Sequence, residues 1–338
     1  MKTRHRILMA AAAVALTLTG SACGGGDDEG TGSGDGQGDL GTIKVAVGIR
    51  QTFEFLPAEY GVELGVWQKR GLKVENVYVQ GSGQVSQAMA SGQTDLGLTA
   101  GASGVDAILS GVPSKIVGLI GKDFKMMIVV VPKDSPITDI NGLKGKTVGV
   151  SAAGSLTDYL AKTITVHQGW AETDIKRANI GGLNEQLAAL ESGATDAFVW
   201  SAEAGFALEE QGKGRVLMDF GDVVKDNVFE DIVANDSAIK DREAAVRAYL
   251  EGWYETVNHM KANRDETIAF MVKEFEVSQN VASKTYDHDI DNLSLDGTIP
   301  EVNLKGLAKS VVDQGIADKE PAIETFWDGR FVPVTAAG

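Results

Sequence analysis

Short apolar runs alternate with amphipathic stretches along most of the chain. IKVAVG at 43–48 and GLKVENVYV at 71–79 are rich in β-branched residues, which predicts strands. Between them Leu56, Tyr60, Leu64 and Trp67 recur at helical spacing. GSGQVSQAMASG then reads as loop and helix, DLGLT as a third strand, and KIVGLIG at 115–121 as a fourth after a Gly-rich loop and a short helix. A βαβαβ succession with short connections predicts a parallel sheet with right-handed crossovers.

The second half repeats this plan. KTVGV, KRANIG, DAFVW and RVLMDF read as strands, and SLTDYLAKTITVHQG, GLNEQLAALESG and EAGFALEEQGKG as the helices between them. SGQTDLGLT at 91–99 and SGATDAFVW at 192–200 are the same phrase, each a helix end, a turn and a strand. Gly92 and Gly193 stand where a helix C′ residue turns left-handed. Sliding the chain by 101 residues puts Gly81 on Gly182 and Asp95 on Asp196, so loops keep register as well as strands. Matching loop, helix, turn and strand together point to duplication of one lobe.

MMIVVVP at 126–132 and EDIVAN at 230–235 follow the two sets of strands and read as crossings between lobes. They divide the body into one lobe of 41–123 with 229–338 and a second of 124–228. After the second crossing the pattern is helical only. Val246, Tyr249, Leu250, Trp253, Val257 and Met260 share one face of a helix at 242–262, a core stripe expected to fold back on the first lobe, with a weaker helix at 265–275 beside it.

The N-terminal segment follows a different pattern. Lys2, Arg4 and Arg6 precede an apolar run at 7–19, too short to span a bilayer comfortably, and Gly20, Ser21 and Ala22 lead into Cys23, the single cysteine. This resembles a bacterial lipoprotein signal, in which the cysteine becomes the lipidated first residue. Gly20 departs from it by standing where the motif usually has a large aliphatic residue, so ordinary secretory cleavage nearby is the alternative. Residues 24–39 hold nothing to bury and are expected to act as a flexible tether. The assignment is therefore a signal peptide at 1–22, a tether at 23–40, and an extracytoplasmic body anchored by lipid to the bacterial cell membrane.

One cysteine leaves no intramolecular disulfide, so the body must stand on its own core, and a 43% hydrophobic content is enough for two lobes. Formal net charge is −16, and the leader would remove three of the 31 basic residues and none of the 47 acidic ones. Nucleic acid is thereby excluded as a partner. A small anion is not, because a cleft binds anions through local backbone dipoles.

ELGVWQKRGLKVE at 63–75, QAMASGQTDLGLT at 87–99, INGLKGKTVGVSAAGS at 140–155 and DGTIPEVNLKGLAKSVVDQGIADK at 296–319 resemble, in that order, solute-binding proteins of ATP-driven importers. The nearest group serves nitrate, sulfonate, taurine and thiamine precursors. The resemblance implies an α/β chain with the type II periplasmic-binding-protein fold, in which two Rossmann-like lobes joined by two crossing segments close on a ligand. It also implies an ABC permease partner and, through it, an ATPase. In the family an acid and a proline commonly follow the tryptophan ending the third strand of the second lobe. Here Trp200 is followed by Ser201, Ala202 and Glu203, so the ligand class does not carry over.

Ligands of open α/β sheets sit beyond the carboxyl ends of the strands. The candidate ligand residues are therefore Arg50, Gln51, Thr52 and Phe53 after the first strand, Gly81, Ser82 and Gly83 after the second, and Ala100 and Gly101 after the third. In the second half they are Ser151, Ala152, Ala153, Gly154 and Ser155, with Trp200 and Glu203. Ser155 with Asp158 is the pattern of a capped helix, whose N-terminus could also take an anionic head group. Arg50 is either a strand-end ion pair or a fork for a carboxylate or sulfonate. Trp200 is core or an aromatic platform, and Glu203 is a first-turn acid or an acceptor for an ammonium.

The expected solute is a small organic or inorganic anion or zwitterion of the sulfonate, taurine or nitrate kind; a thiamine-precursor pyrimidine or other small aromatic solute is the alternative. A pyrimidine-synthase-like enzyme on the same scaffold would need a histidine and cysteine-rich apparatus. Here His167, His259, His288 and the single cysteine form no metal-ligand spacing, so no enzyme activity, catalytic residue, cofactor or metal is expected. A sensor would need an output segment, and none is seen. The protein is expected to act as a monomer.

Overall fold

The computed structural model describes residues 38–335, so the leader and Cys23 lie outside the described residues. The strands are β1 (Gly41–Val47), β2 (Leu72–Tyr78), β3 (Leu96–Ala100), β4 (Ser114–Gly121), β5 (Met127–Pro132), β6 (Thr147–Val150), β7 (Lys176–Asn179), β8 (Ala197–Ser201), β9 (Gly214–Asp219) and β10 (Glu230–Asn235). They form two five-stranded sheets, ordered β2-β1-β3-β10-β4 and β7-β6-β8-β5-β9. The first three strands of each sheet are mutually parallel.

Both sheets are mixed rather than parallel. β10 runs antiparallel between β3 and β4, and β5 runs antiparallel between β8 and β9. The segments read from the sequence as crossings are thus strands themselves, each threading the sheet that the chain has just entered. Val129 and Val130 of β5 are buried completely, and all six residues of β10 are buried.

The repeated phrase does the same job in both sheets. Gly92 and Gly193 have φ of 69° and 73°, and the helices before them close with Gln93 N–H on Ala88 O and Ala194 N–H on Ala189 O. The aspartate then clamps the first strand of its sheet. Asp95 accepts from Lys44 N–H at 2.8 Å and Asp196 from Thr147 N–H at 2.9 Å, while each donates its own N–H to the carbonyl of that residue at 2.8 Å. This pairing fixes strand register in the same way in both sheets.

The helix Glu243–Ala262 buries Val246, Tyr249, Leu250, Trp253, Val257 and Met260, the stripe expected from the sequence, and packs on the helix Leu56–Glu63 and on β1 and β2. The helix Arg264–Phe275 follows it, and Gln279–Asp289 then lies along Ala202–Glu210, the helix after β8. None of the described helices is long and apolar enough to cross a membrane.

Candidate ligand-binding cleft

Segments that follow β3 in the first sheet and β6 in the second converge on one cleft. The helix Gly101–Leu109 begins directly after β3, and Ala202–Glu210 directly after β8. The antiparallel strands start at the same places, since Glu230 pairs with Ala100 and Met127 with Ser201. Between the two groups of loops lies a cleft of about 240 Å³. Ala100 to Ser103 line one side, Gly154, Leu156, Asp158 and Tyr159 the other, and Phe124 and Phe229 the crossings.

The two helix N-termini facing this cleft differ. The Ser151–Ser155 turn before Leu156–His167 largely satisfies itself. Ser151 N–H donates to Thr157 Oγ1 at 2.8 Å, Gly154 N–H to Asp158 Oδ2 at 3.0 Å, and Ser155 Oγ accepts from Asp158 N–H at 3.3 Å. Ala152 N–H reaches Ser155 Oγ at 3.4 Å. Ala153 is exposed. Gly101–Leu109, by contrast, has no side-chain cap and no acid in its first turn. Its leading N–H groups at Ala102 and Ser103 stand at the cleft wall with the positive end of the helix dipole. The cations at the cleft are Lys162 and Arg177, the latter held by Asp158 at 2.6 Å and Glu172 at 2.9 Å.

The residues expected from the sequence are dispersed, and only some of them line the cleft. Ala100, Gly101 and Gly154 line the cleft. Arg50, Gln51 and Thr52 line a separate small hollow. There Arg50 pairs with Glu274 at 2.9 Å and with Glu59 at 3.7 Å while lying over the Tyr78 ring, and Gln51 Nε2 donates to Glu274 O at 2.9 Å. Those contacts tie the first strand's loop to the end of the helix Arg264–Phe275. Gly81, with φ of 89°, and Ser82 and Gly83 start the next helix, and Ser82 Oγ accepts from Ala100 N–H at 3.3 Å, bracing the cleft wall from behind. Phe53 is fully buried edge-on to Tyr286, and Trp200 is half-buried against the second-sheet core.

Glu203 is buried, and it is not alone. Glu54, in the short helical turn Phe53–Phe55, Glu230 at the start of β10, and Asp289 are each at most 6% exposed. Burial first, and then the charge on Glu54, pushes the Glu203 carboxyl up to about 8. Burial, with the charge on Asp289, pushes Glu54 up to about 7. Burial also raises Glu230 well above the carboxylate range, with Glu54 and Asp231 adding to it. Asp289 has its own cation, His288, whose Nδ1 lies 2.5 Å from Asp289 Oδ1. Although burial lowers the imidazole, bonding to Asp219 and Asp289 holds it up to about 9. Sequence reasoning singled out only Glu203 of this group. The available signals were Glu54 between two phenylalanines and the acidic pair opening the apolar EDIVAN strand.

Two mixed sheets of matching order, with loops from both meeting at a cleft beside the two crossings, define the type II periplasmic-binding-protein fold. The chain belongs to the NMT1/THI5 like family, whose pattern it matches over residues 52–267. It is 24% identical over 247 residues to a protein of Brachyspira hyodysenteriae provisionally named an ABC transporter periplasmic binding protein, the match covering 67% of each chain. The periplasmic aliphatic sulphonate binding protein SsuA of Escherichia coli superposes with a TM-score of 0.73 at 20% identity, over 88% of this chain and 94% of that one. The periplasmic nitrate-binding protein NrtA of Synechocystis PCC 6803 gives 0.65 at 13% identity, over 86% of each. These matched proteins are binding proteins rather than enzymes.

Proposed function

We propose that this protein is the extracytoplasmic, lipid-anchored receptor of an ATP-driven importer, capturing a small anion or zwitterion between its lobes and presenting it to a membrane permease. The observation that carries this reading is the cleft itself, walled by the carboxyl-end loops of both sheets and lying at the two crossings, where a hinge allows closure. The lobes in this reading are 41–123 with 229–338, and 124–228. The sulphonate- and nitrate-binding names among the matched proteins support an acid head group on the solute. The uncapped start of Gly101–Leu109 is the place offered to it, with helix-end stabilisation of about 0.3–2 kcal/mol.

Thermal melts against a panel of alkanesulfonates, amino-sulfonates, nitrate, carboxylates and aminopyrimidines test the reading. A solute present at about 100 times its Kd should add about 2.7 kcal/mol of stability. Solution scattering with that solute saturating should show a smaller radius of gyration. A panel with no shift removes the receptor reading, and a shift with an unchanged scattering profile removes the hinge. Anchoring is tested separately: Cys23→Ala should move the protein from the membrane fraction to the soluble one, and unchanged partition would show that Cys23 carries no lipid.

A further inference from the structure

The two crossings are not the sole links between the proposed lobes. Helix Gln279–Asp289 belongs by chain order to the first lobe, yet it packs both on Arg264–Phe275 of that lobe and on Ala202–Glu210 of the second. Its hold on the first lobe is covalent at both ends and reinforced between them. Arg264 forks onto Asp287 at 2.9 and 2.7 Å, and the buried Tyr286 donates its Oη–H to Met260 O at 2.9 Å. Just past the helix, Asn292 Oδ1 accepts from Asp123 N–H at 3.0 Å while Nδ2 donates to Asp123 O at 2.8 Å. That reciprocal pair pins the C-terminal end of the helix where the first crossing begins.

The face on the second lobe is of another kind. Ser278 Oγ–H and Asn280 Nδ2–H donate to Glu210 Oε1 at 2.8 and 3.0 Å. One turn further on, Lys284 pairs with Glu209 and lies over the Phe206 ring, 4.4 Å from its centroid, and His288 meets the same ring edge-on at 5.3 Å. The two helices therefore run antiparallel, and the contacts between them are mostly polar ones that solvent reaches, the Lys284 and Glu209 side chains being 49% and 25% exposed. One apolar residue completes the face. Val281, 2% exposed, enters the cluster of Ile128, Phe198, Phe206 and Leu208, all of whose other buried members belong to the second lobe.

Rotation at the crossings that parts the lobes forces this helix off one neighbour or the other. Its first-lobe face is tied by the chain itself. Its second-lobe face consists of exposed ion pairs and hydrogen bonds, which water replaces at small net cost, closed over one valine. We infer that helix Gln279–Asp289 is a clasp, which travels with the first lobe, is pinned beside the first crossing by Asn292, and peels from Ala202–Glu210 when the cleft opens. Contacts made in only one of two conformations bias the equilibrium towards it. The clasp therefore draws the ligand-free protein towards the closed form, and Lys284 with Glu209 sets how firmly.

The inference rests on the hinge of the receptor reading, and its test needs no solute. Lys284→Glu sets an acid beside Glu209 and should loosen the clasp, while adding Glu209→Lys restores a pair of opposite charge. Two measurements on the ligand-free, full-length chain read the outcome. Val281→Cys, in a Cys23→Ala background that removes the single native cysteine, reports peeling through its rate of maleimide labelling. Lys284→Glu should raise that rate about threefold to tenfold, the scale of losing an exposed pair and gaining a like-charge contact, and the double reversal should bring it back to within about twofold of the parent. Solution scattering should give a larger radius of gyration for Lys284→Glu than for the parent or the double reversal. Thermal melts confirm that each variant is folded; should Lys284→Glu fail to fold, Ser278→Ala with Asn280→Ala, which removes the two donors from Glu210, takes its place with the same expected direction. Faster labelling at an unchanged radius would mean a helix that frays on a fixed body and overturns the clasp. So does a labelling rate that Lys284→Glu leaves unchanged, or one that the double reversal fails to restore. A solute panel without response removes the receptor reading and leaves these ligand-free results as they stand.

Discussion

Raising the pH from about 5 to about 9 should steadily weaken the ligand-free protein, by on the order of 3 kcal/mol or more. Glu54 and Glu203 ordinarily titrate near 4.5 and are held at about 7 and about 8 in the folded state. Between the ordinary and the folded values the native state holds more protons than the unfolded one, so stability falls as pH rises. His288 acts in the same direction. Its imidazole is raised from 6.5 to about 9, so its contribution is complete below 6.5 and is lost as pH climbs through 9. The carboxyls interact, so their contributions do not simply add. Denaturant melts at unit steps from pH 5 to 9 read the slope directly. Glu203→Gln should flatten the part below pH 8 and make the protein more stable than the parent at pH 8. His288→Asn should flatten the part above 6.5. A flat or rising profile in the parent would mean that these acids ionise freely in solution and are not buried together.

Local and duplicated features were legible in the sequence, and features depending on distant partners were not. Ser155 caps its helix and Asp158 reaches back to Gly154 because all three lie within one turn. The SGxTD turns announced themselves by repetition, and the stripe from Val246 to Met260 by its period. Burial of an apolar run shows in composition, but strand direction does not. MIVVVP and EDIVAN therefore read as crossings, although each is the antiparallel fourth strand of its sheet in spatial order. Arg50 shows the same limit. As a cation at a strand end it suits a ligand anion, yet Glu274, over two hundred residues downstream, takes its guanidinium. Glu54, Glu203 and Glu230 are buried by elements that meet only in the folded chain, and the apolar neighbours of Glu54 and Glu230 are the only local sign of it. The departure at Trp200 was visible. Its consequence, a buried acid three residues on, required the fold.

Trp67→Ala should cost about 3–5 kcal/mol and leave solute affinity unchanged. The indole is 2% exposed and stacks on Tyr249 with ring centroids 5.3 Å apart and planes within 3°, while Nε1–H donates to Tyr249 O at 2.9 Å. The helix Glu243–Ala262 can come this close only because Gly252 lacks a side chain: a Cβ there would lie 2.3 Å from Trp67 Nε1, and one at Gly61 would lie 2.7 Å from the far edge of the same ring. Truncating Trp67 removes the apolar transfer, the stack and the hydrogen bond together, and it leaves a cavity between two helices that cannot close up without moving the sheet beneath them. Gly252→Ala attacks the same contact from the other side by overpacking, at about 1–3 kcal/mol. The two changes compensate in part, since the added methyl enters the space the indole vacates, so the double variant should lose less than the sum of the single ones. Chemical denaturation of the three variants measures this. Trp67 is not among the cleft-lining residues, so titration with a bound solute from the panel should give the parent's Kd. Strict additivity would show that Trp67 and Gly252 do not touch in solution, and a weakened Kd in a still-folded Trp67→Ala protein would place this contact on the path that sets the cleft.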